Sequence, residues 1–370
     1  MTRSPSMICR ARRRIVLVGL SLALATSLTA QATLPVKLAT LAPEHSPWHE
    51  ALADMGAAWA RATSGRVVLT IFAGSSVDSE SAAIAKMSPA VDRLQAATLT
   101  ISGLGEIDAA FNVFGMPFFF ESDAELEAVQ TALTPTLSKR LETNGYRLVN
   151  WSSAGWVRLF SKTPIRTWDD AKRAKLYTGE GDPRTLEWYT QNGFHAVPLK
   201  QASISSELKR QGGAIDATPS PPYFALALQF YRDAPYMLNV RLAPLVSATI
   251  ITDRAWQTIS PDDRTKILEI AAMSGKSVQA QASTLDASAI REMQDSTRTA
   301  AVPFQSVAPA DAAQFRAEAD RLSASQRGTL VPADVFDTAV QLRAAFRSGR
   351  SLTTTPVGGF DQRHSPGGER

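Results

Sequence analysis

The chain has 370 residues, with 39 Lys and Arg against 35 Asp and Glu, but the charge is unevenly placed. Five arginines fall in the first 32 residues, which hold no acid, so the remainder carries 34 bases against 35 acids. The basic excess therefore belongs to that segment and gives no reason to expect a nucleic-acid partner, and the single cysteine, Cys9, lies in it too, leaving no disulfide framework beyond it.

Arg3, Arg10, Arg12, Arg13 and Arg14 precede an apolar run from Ile15 to about Leu28, and Ala30-Gln31-Ala32 follows. This is the layout of an export signal cut after Ala32; the apolar run is shorter than the roughly 20 residues a membrane span needs. Cys9 lies before the apolar run, so it is not a lipid attachment site. The expected mature chain is an exported, soluble protein of about 338 residues, long enough for two core-forming lobes.

In chain order, Val36–Leu41 reads as a strand ended by Pro43-Glu44-His45. Ser46 then caps a helix with Pro47 in its first turn and Trp48, Leu52, Met55 and Trp59 on one face, stopped by Gly65. Val67–Phe72 is a second strand, Ser79–Met87 a short helix, and Ala96–Ile101 a third strand. A helix over Ala124–Asn144 closes at Gly145, and Tyr146–Trp151 is the next strand. After Pro164 the alternation resumes: helix Trp168–Arg173, strand Lys175–Thr178, helix Arg184–Asn192, strand Ala196–Pro198, helix Ser203–Gln211, strand Ala214–Thr218. Leu245–Thr252 is a further strand. From Pro261 to about Ser296 there is one glycine and no internal proline, giving a helix of roughly 50 Å, long enough to brace two lobes. The segment from Ser351 is Thr-, Pro- and Gly-rich and reads as a disordered tail. This rhythm is that of an α/β fold with sheets of parallel character.

Motifs for catalysis do not assemble. Gly275-Lys276-Ser277 ends like a phosphate loop, but the position that needs the earlier glycine is Ile270. His45 and His49 have a metal-ligand spacing without further His or Cys nearby. Gly103-Leu104-Gly105 reads as a tight turn after a strand, and no Gly-x-Ser-x-Gly elbow occurs. Asn150-Trp151-Ser152 matches a glycosylation acceptor, a pattern without meaning in a bacterium. No catalytic residue, metal site or cofactor is expected. An exported hydrolase on a two-lobed scaffold is the alternative.

Candidate binding residues sit at strand ends, where open α/β sheets bind ligands. They are Trp48, Phe118, Trp151, Trp156, Arg158, Tyr177, Glu180, Ser220, Pro221 and Tyr223. Trp59, Phe72 and Trp256 are read as core.

Several segments resemble, in order, the DctP-type solute-binding proteins of TRAP transporters, the tripartite ATP-independent periplasmic carriers. They are Leu38-Ala-Thr-Leu-Ala-Pro-Glu-His-Ser-Pro-Trp48, Gly65-Arg-Val-Val-Leu, Met116-Pro-Phe-Phe-Phe120, Ala154-Gly-Trp-Val-Arg-Leu-Phe-Ser-Lys-Thr-Pro-Ile165, Gly179-Glu-Gly-Asp182 and Pro219-Ser-Pro-Pro222. The resemblance implies a two-lobed periplasmic binding protein fold, with crossing hinge strands near Ser153–Ser161 and Leu245–Thr252 and the long helix bracing both lobes. It implies a lobe I of residues 33–155 plus 249–305, a lobe II of 156–248, and C-terminal helices in 306–350 packing across the two. It also implies a periplasmic protein that captures a small organic solute, dicarboxylate-like by family habit, for the large and small membrane subunits. Many members clamp the solute's carboxylate with an arginine on the first strand of lobe II; Tyr177 stands there instead. Two outcomes stay open. Another cation such as Arg158 serves an organic acid, or the cleft holds a neutral or apolar ligand between Trp156, Tyr177, Tyr223 and Phe118. The likeness to a branch with an aromatic at this place adds a periplasmic helical-repeat protein as an implied partner.

Overall fold

The computed structural model describes residues 33–180 and 183–350. The expected export signal, Gly181-Asp182 and the tail from Ser351 lie outside the described residues. In chain order come β1 (Leu34–Thr40), α1 (Pro47–Ala62), β2 (Val67–Ala73), α2 (Glu80–Met87), β3 (Ala96–Thr100), α3 (Ile101–Ile107), α4 (Asp123–Thr143) and β4 (Tyr146–Ser161). They are followed by α5 (Trp168–Arg173), β5 (Lys175–Gly179), α6 (Pro183–Gln191), β6 (His195–Leu199), α7 (Ile204–Lys209), β7 (Ala217–Ser220), α8 (Pro222–Ala227) and β8 (Tyr236–Thr252). The chain ends with α9 (Asp253–Thr258), α10 (Pro261–Thr297), β9 (Gln305–Val307), α11 (Ala312–Ala324) and α12 (Ala333–Arg347). No helix among the described residues is long and apolar enough to cross a membrane.

The strands form one sheet in the order β2-β1-β3-β8-β4-β7-β5-β6, with β9 alongside β8. β1, β2 and β3 are mutually parallel, as are β7, β5 and β6 at the other end. Between them run β4 and β8, antiparallel to each other and shared by both halves. The first half of β4 and the last half of β8 complete lobe I, where β3 pairs β8 from Ala96↔Ile251 to Thr100↔Ser247. The second half of β4 pairs β7 from Arg158↔Ser220 to Ser161↔Ala217 and belongs to lobe II. The two long strands lose register between Ser153 and Trp156, and again between Val157 and Leu159. Gly155 sits in that break with φ of 91°, a conformation that disfavours a side chain.

Each half is covered on both faces. In lobe I, Leu99, Phe111, Phe114, Leu133 and Leu137 pack beneath α4 and α12, while Val36, Leu38, Met55, Trp59 and Ile267 pack beneath α1 and α10. In lobe II, Leu159, Leu176, Trp188 and Phe315 form one layer, and Phe160, Leu208, Phe230 and Met293 the other. Trp59 is fully buried, as its helical face implies, but Phe72 is not core: it is 38 % exposed on β2, an edge strand with one open face. Gly103 and Gly105 lie inside α3, so the expected tight turn is the first turn of a short helix.

α10 starts where the sequence places it. Ser260 accepts from the Asp263 N–H at 3.2 Å, and Pro261 occupies the first turn. Its buried stripe runs Asp263, Ile267, Ala271, Gly275, Ala282, Ala289, Met293. The middle of the stripe is small, which lets the helix lie directly on β4. Ile267 and Ala271 belong to the lobe I core and Met293 to lobe II, where Phe304 and β9 also pack. Residues 249–305 are therefore divided between the lobes. α11 packs in lobe II through Phe315 and Leu322, and α12 in lobe I through Val335 and Leu342, so the chain passes between lobes a fourth time, after β4, β8 and α10.

Near the register break, the Asp286 carboxylate of α10 accepts from the backbone N–H of Trp156 at 3.3 Å and of Tyr223 at 3.2 Å. The brace thus holds β4 and α8 together. Burial pushes the Asp286 carboxyl up to about 6, against the pull of these two donors and of Arg158 and Arg241. The folded pKa lies above the unfolded one, so the folded state binds more protons between roughly pH 4 and 6. The contribution of Asp286 to stability falls as pH rises through that window and is flat above it. Asp286→Asn is therefore expected to gain on the wild type progressively from pH 4 to 6, by up to about 3 kcal/mol. Urea unfolding of both proteins at several pH values measures this; a pH-independent difference would refute it.

Candidate ligand-binding cleft

The parallel strands of the two halves run toward each other, so their carboxyl ends meet at the seam. Thr40 and Thr100 end β1 and β3 on one side; Tyr177 and Ser220 lie on β5 and β7 on the other. Between them is a cavity of about 470 Å³ lined by these residues and by Trp48, Glu80, Asn150 and Thr218. Ser274, Gly275 and Val278 of α10 form its back wall.

Trp48 is placed by the start of α1, where Ser46 accepts from the His49 N–H at 3.3 Å. Its ring lies 4.9 Å from Tyr223 and 4.8 Å from Phe224, both on α8, and its Nε1 donates to the Ser153 carbonyl at 3.4 Å. One side chain of lobe I thereby touches the hinge strand and lobe II together.

Glu80 opens α2 after the Ser79 cap and is 8 % exposed. Its Oε1 accepts from the Thr100 N–H at 2.6 Å, and its Oε2 from Thr100 Oγ1 and the Gly103 N–H, both at 2.8 Å. Burial raises its pKa; the three donors oppose the shift and Glu106 adds to it. A Cβ at position 103 would meet Glu80 Oε2 at 2.8 Å and Glu80 Cβ at 2.9 Å, so a side chain there would push Glu80 off its three donors. Tyr177 is pushed up to about 12, first by burial and then by the negative charge of Glu80. Its phenol stays protonated and can donate.

Among the described residues lining the cavity, two polar atoms are buried without a hydrogen-bond partner: Asn150 Oδ1 and Thr218 Oγ1. The Asn150 amide orientation is set by its Nδ2, which donates to the Ala271 carbonyl of α10 at 2.8 Å. At the mouth, Arg184 of α6 donates to the Gly105 carbonyl of α3 at 2.9 Å, a bond that joins lobe II to lobe I.

Of the residues singled out in the sequence, Trp48, Tyr177, Ser220 and Pro221 line the cavity. The others lie elsewhere. Trp151 packs against Phe111 and Phe114 and donates to Thr134 Oγ1 at 3.0 Å. Trp156 is 3 % exposed, donates to Asp123 at 3.0 Å and carries Arg241 over its ring. Phe118 is buried among Trp168 and Phe315. Arg158 donates to Asn239 at 3.2 Å, Glu180 is exposed, and Tyr223 supports Trp48 from behind. Glu80, Asn150 and Thr100 carried no signal as site residues: Glu80 reads as an ordinary first-turn acid. Thr218 stood only within a Pro-rich stretch.

The family model for bacterial extracellular solute-binding proteins, family 7 (DctP), matches residues 38–327. A solute-binding protein of Chromohalobacter salexigens is 23% identical over 268 residues, covering 71% of this chain and 77% of that protein. Among solved structures, a TRAP periplasmic solute-binding protein from Pseudomonas putida F1 with bound D-glucuronate superposes with a TM-score of 0.73 at 19% identity, over 84% of this chain and 97% of its own. One from Desulfovibrio salexigens with bound orotic acid gives 0.74 at 16% identity, over 86% and 99%. The structural likeness fixes the fold as the two-lobed α/β architecture of those proteins. With most of its length matched by the family model, the chain belongs to the bacterial extracellular solute-binding proteins of family 7, the DctP family.

Proposed function

We propose that this protein works in the bacterial periplasm, where its cleft captures a small organic solute and presents it to the membrane subunits of a TRAP transporter. The observation that carries the reading is the cavity at the meeting of strand ends from two lobes, spanned by Trp48 and by the Arg184–Gly105 bond. The solved relatives hold D-glucuronate and orotic acid, small organic molecules of a size this cavity accommodates. A solute touching both walls stabilises the closed form over the open one by the difference in its contacts. Micromolar affinity corresponds to about −8 kcal/mol, ample to shift an equilibrium of a few kcal/mol.

Mass spectrometry of solute released from the purified protein, with scattering before and after reloading, tests the proposal. One equivalent of an unaltered molecule and a smaller radius on loading are expected. Catalytic turnover of the released molecule would favour the hydrolase reading instead. Arg184→Ala removes a closing contact outside the cavity and is expected to weaken solute affinity about fivefold, in line with one charge-assisted hydrogen bond at a partly exposed site. Calorimetric titration reads that change, and an unaltered affinity would mean the bond does not contribute to closure. A helical-repeat partner in the periplasm completes the proposed assembly; pull-down with the solute-loaded protein tests it.

A further inference from the structure

Resting on the proposal that the cleft holds a transported solute, we infer that this solute has no carboxylate and binds by donating hydrogen bonds from an alcohol, amide or amine on a mostly apolar frame. Three features of the cavity converge on that chemistry.

Among the described residues that line it, Glu80 is the only charged one; no Lys, Arg or His reaches the wall. Arg158 and Arg241, the cations nearest the hinge, are occupied with Asn239, with the Trp156 ring and with the field of Asp286. A solute carboxylate would be buried beside a like charge with nothing to neutralise it.

The polar groups awaiting a partner include two carbonyl-type acceptors, on Glu80 and Asn150, beside the hydroxyls of Thr218 and Tyr177, which can donate as well as accept. A carboxylate has about four acceptor positions. Glu80 uses one on Oε1 and two on Oε2, leaving a place on Oε1. Asn150 Oδ1 is an acceptor only, held facing away from α10 by its amide's bond to Ala271. Thr218 Oγ1, fully buried, can accept or donate. Glu80 and Asn150 come from lobe I and Thr218 from lobe II, so a donor-bearing molecule reaching all three would bridge the halves. A carboxylate could take the Thr218 and Tyr177 hydroxyls as donors, but it brings further acceptors and leaves Asn150 Oδ1 and the open place on Glu80 unmet.

The remaining wall is mostly aromatic and aliphatic, with Trp48, Leu52, Trp188, Phe194 and Phe224, and carries neutral hydroxyls and amides such as Ser102, Gln201 and Ser220 between them. It suits a ring or branched chain more than a polyanion.

The test equilibrates the purified full chain, stripped by unfolding and refolding, with paired probes on shared frames. The pairs are D-glucuronate and D-glucose, orotate and uracil, and phenylacetate with 2-phenylethanol and 2-phenylethylamine. Retained molecules, and any solute released from protein as first purified, are identified by mass spectrometry. At least one carboxyl-free probe is expected to be retained tenfold or more over its acid twin, or the copurifying solute to lack a carboxylate. The alcohol and amine arms distinguish neutral from cationic donors. Retention of the acids in preference, or a copurifying carboxylate, overturns the inference while leaving solute binding intact. Retention of nothing, with no copurifying solute, overturns the solute-binding proposal itself. Because Glu80 also supports the start of α3, Thr218→Val is the safer variant: it keeps the shape and removes a hydroxyl. It is expected to weaken the retained solute about tenfold, and no change would take Thr218 out of the site. Tyr177→Arg alone should gain little for D-glucuronate, since Glu80 would pair with the new arginine. Tyr177→Arg together with Glu80→Gln should gain tenfold or more; equal gain in the single variant would contradict the assigned role of Glu80.

Discussion

Gly275→Ala is expected to destabilise the protein by about 3 kcal/mol, the upper end of the usual cost of overpacking a tight interior. In a free helix the same change raises stability by about 1 kcal/mol, so the expected sign is the reverse of helix propensity. The reason is the neighbour. A Cβ at this position would run into the Trp151 carbonyl oxygen of β4 and stand 3.0 Å from Asn150 Nδ2. Neither can yield cheaply, because the first is backbone in the paired central strand and the second is tied to the Ala271 carbonyl. α10 would have to lift away from the strand shared by both lobes. Urea midpoints of Gly275→Ala and of Ser277→Ala, an exposed position two residues further along the helix, provide the comparison. If the two variants unfold alike, the close approach of helix and strand is wrong.

Trp48→Ala should be at least as costly and should also damage binding. Removing a buried tryptophan costs roughly 3–5 kcal/mol, and two aromatic contacts to α8 are lost with it. Unlike Gly275, Trp48 touches the cavity, the hinge carbonyl of Ser153 and lobe II at once. Solute affinity is therefore expected to fall by about a hundredfold, the equivalent of roughly 3 kcal/mol. Trp48→Phe keeps a ring but loses the donor, and should lie between. Thermal unfolding with and without solute separates the effects. Should Trp48→Ala lower stability yet leave affinity intact, the ring serves only as packing.

The elements that obey simple periodicity were legible. The Ser46-Pro47 start of α1, the β-branched β2 and the Ser260-Pro261 start of α10 all appear within a residue or two of where the sequence puts them. The crossing strands were legible only in part. Tyr146–Trp151 and Leu245–Thr252 are the lobe I ends of strands that run 16 and 17 residues. Their middles, around Gly155 and Pro244, contain residues that ordinarily end a strand, and the alternation slips at the register break. The same slip explains Trp151 and Trp156. Both sit beside Ser, Ala or Gly, as binding residues often do, yet both rings turn into the lobe I core. Tyr177, Ser220 and Pro221 were readable because strand ends of parallel units face the cleft. Glu80 and Asn150 were not, since their significance depends on what stands within a few ångströms in space and on the absence of a cation there.

The order of strands in the sheet has a consequence for how the protein is made. β3, at residues 96–100, takes its outer neighbour from residues 247–251, and that neighbour is the last long strand synthesised. Until it arrives, the amino-terminal half presents an unpaired edge, the kind of surface that recruits other chains. A fragment ending before Tyr236 would thus be sticky, not a free-standing half. Acquisition of structure must be concerted across the whole length, and slow, because contacts about 150 residues apart have to close first.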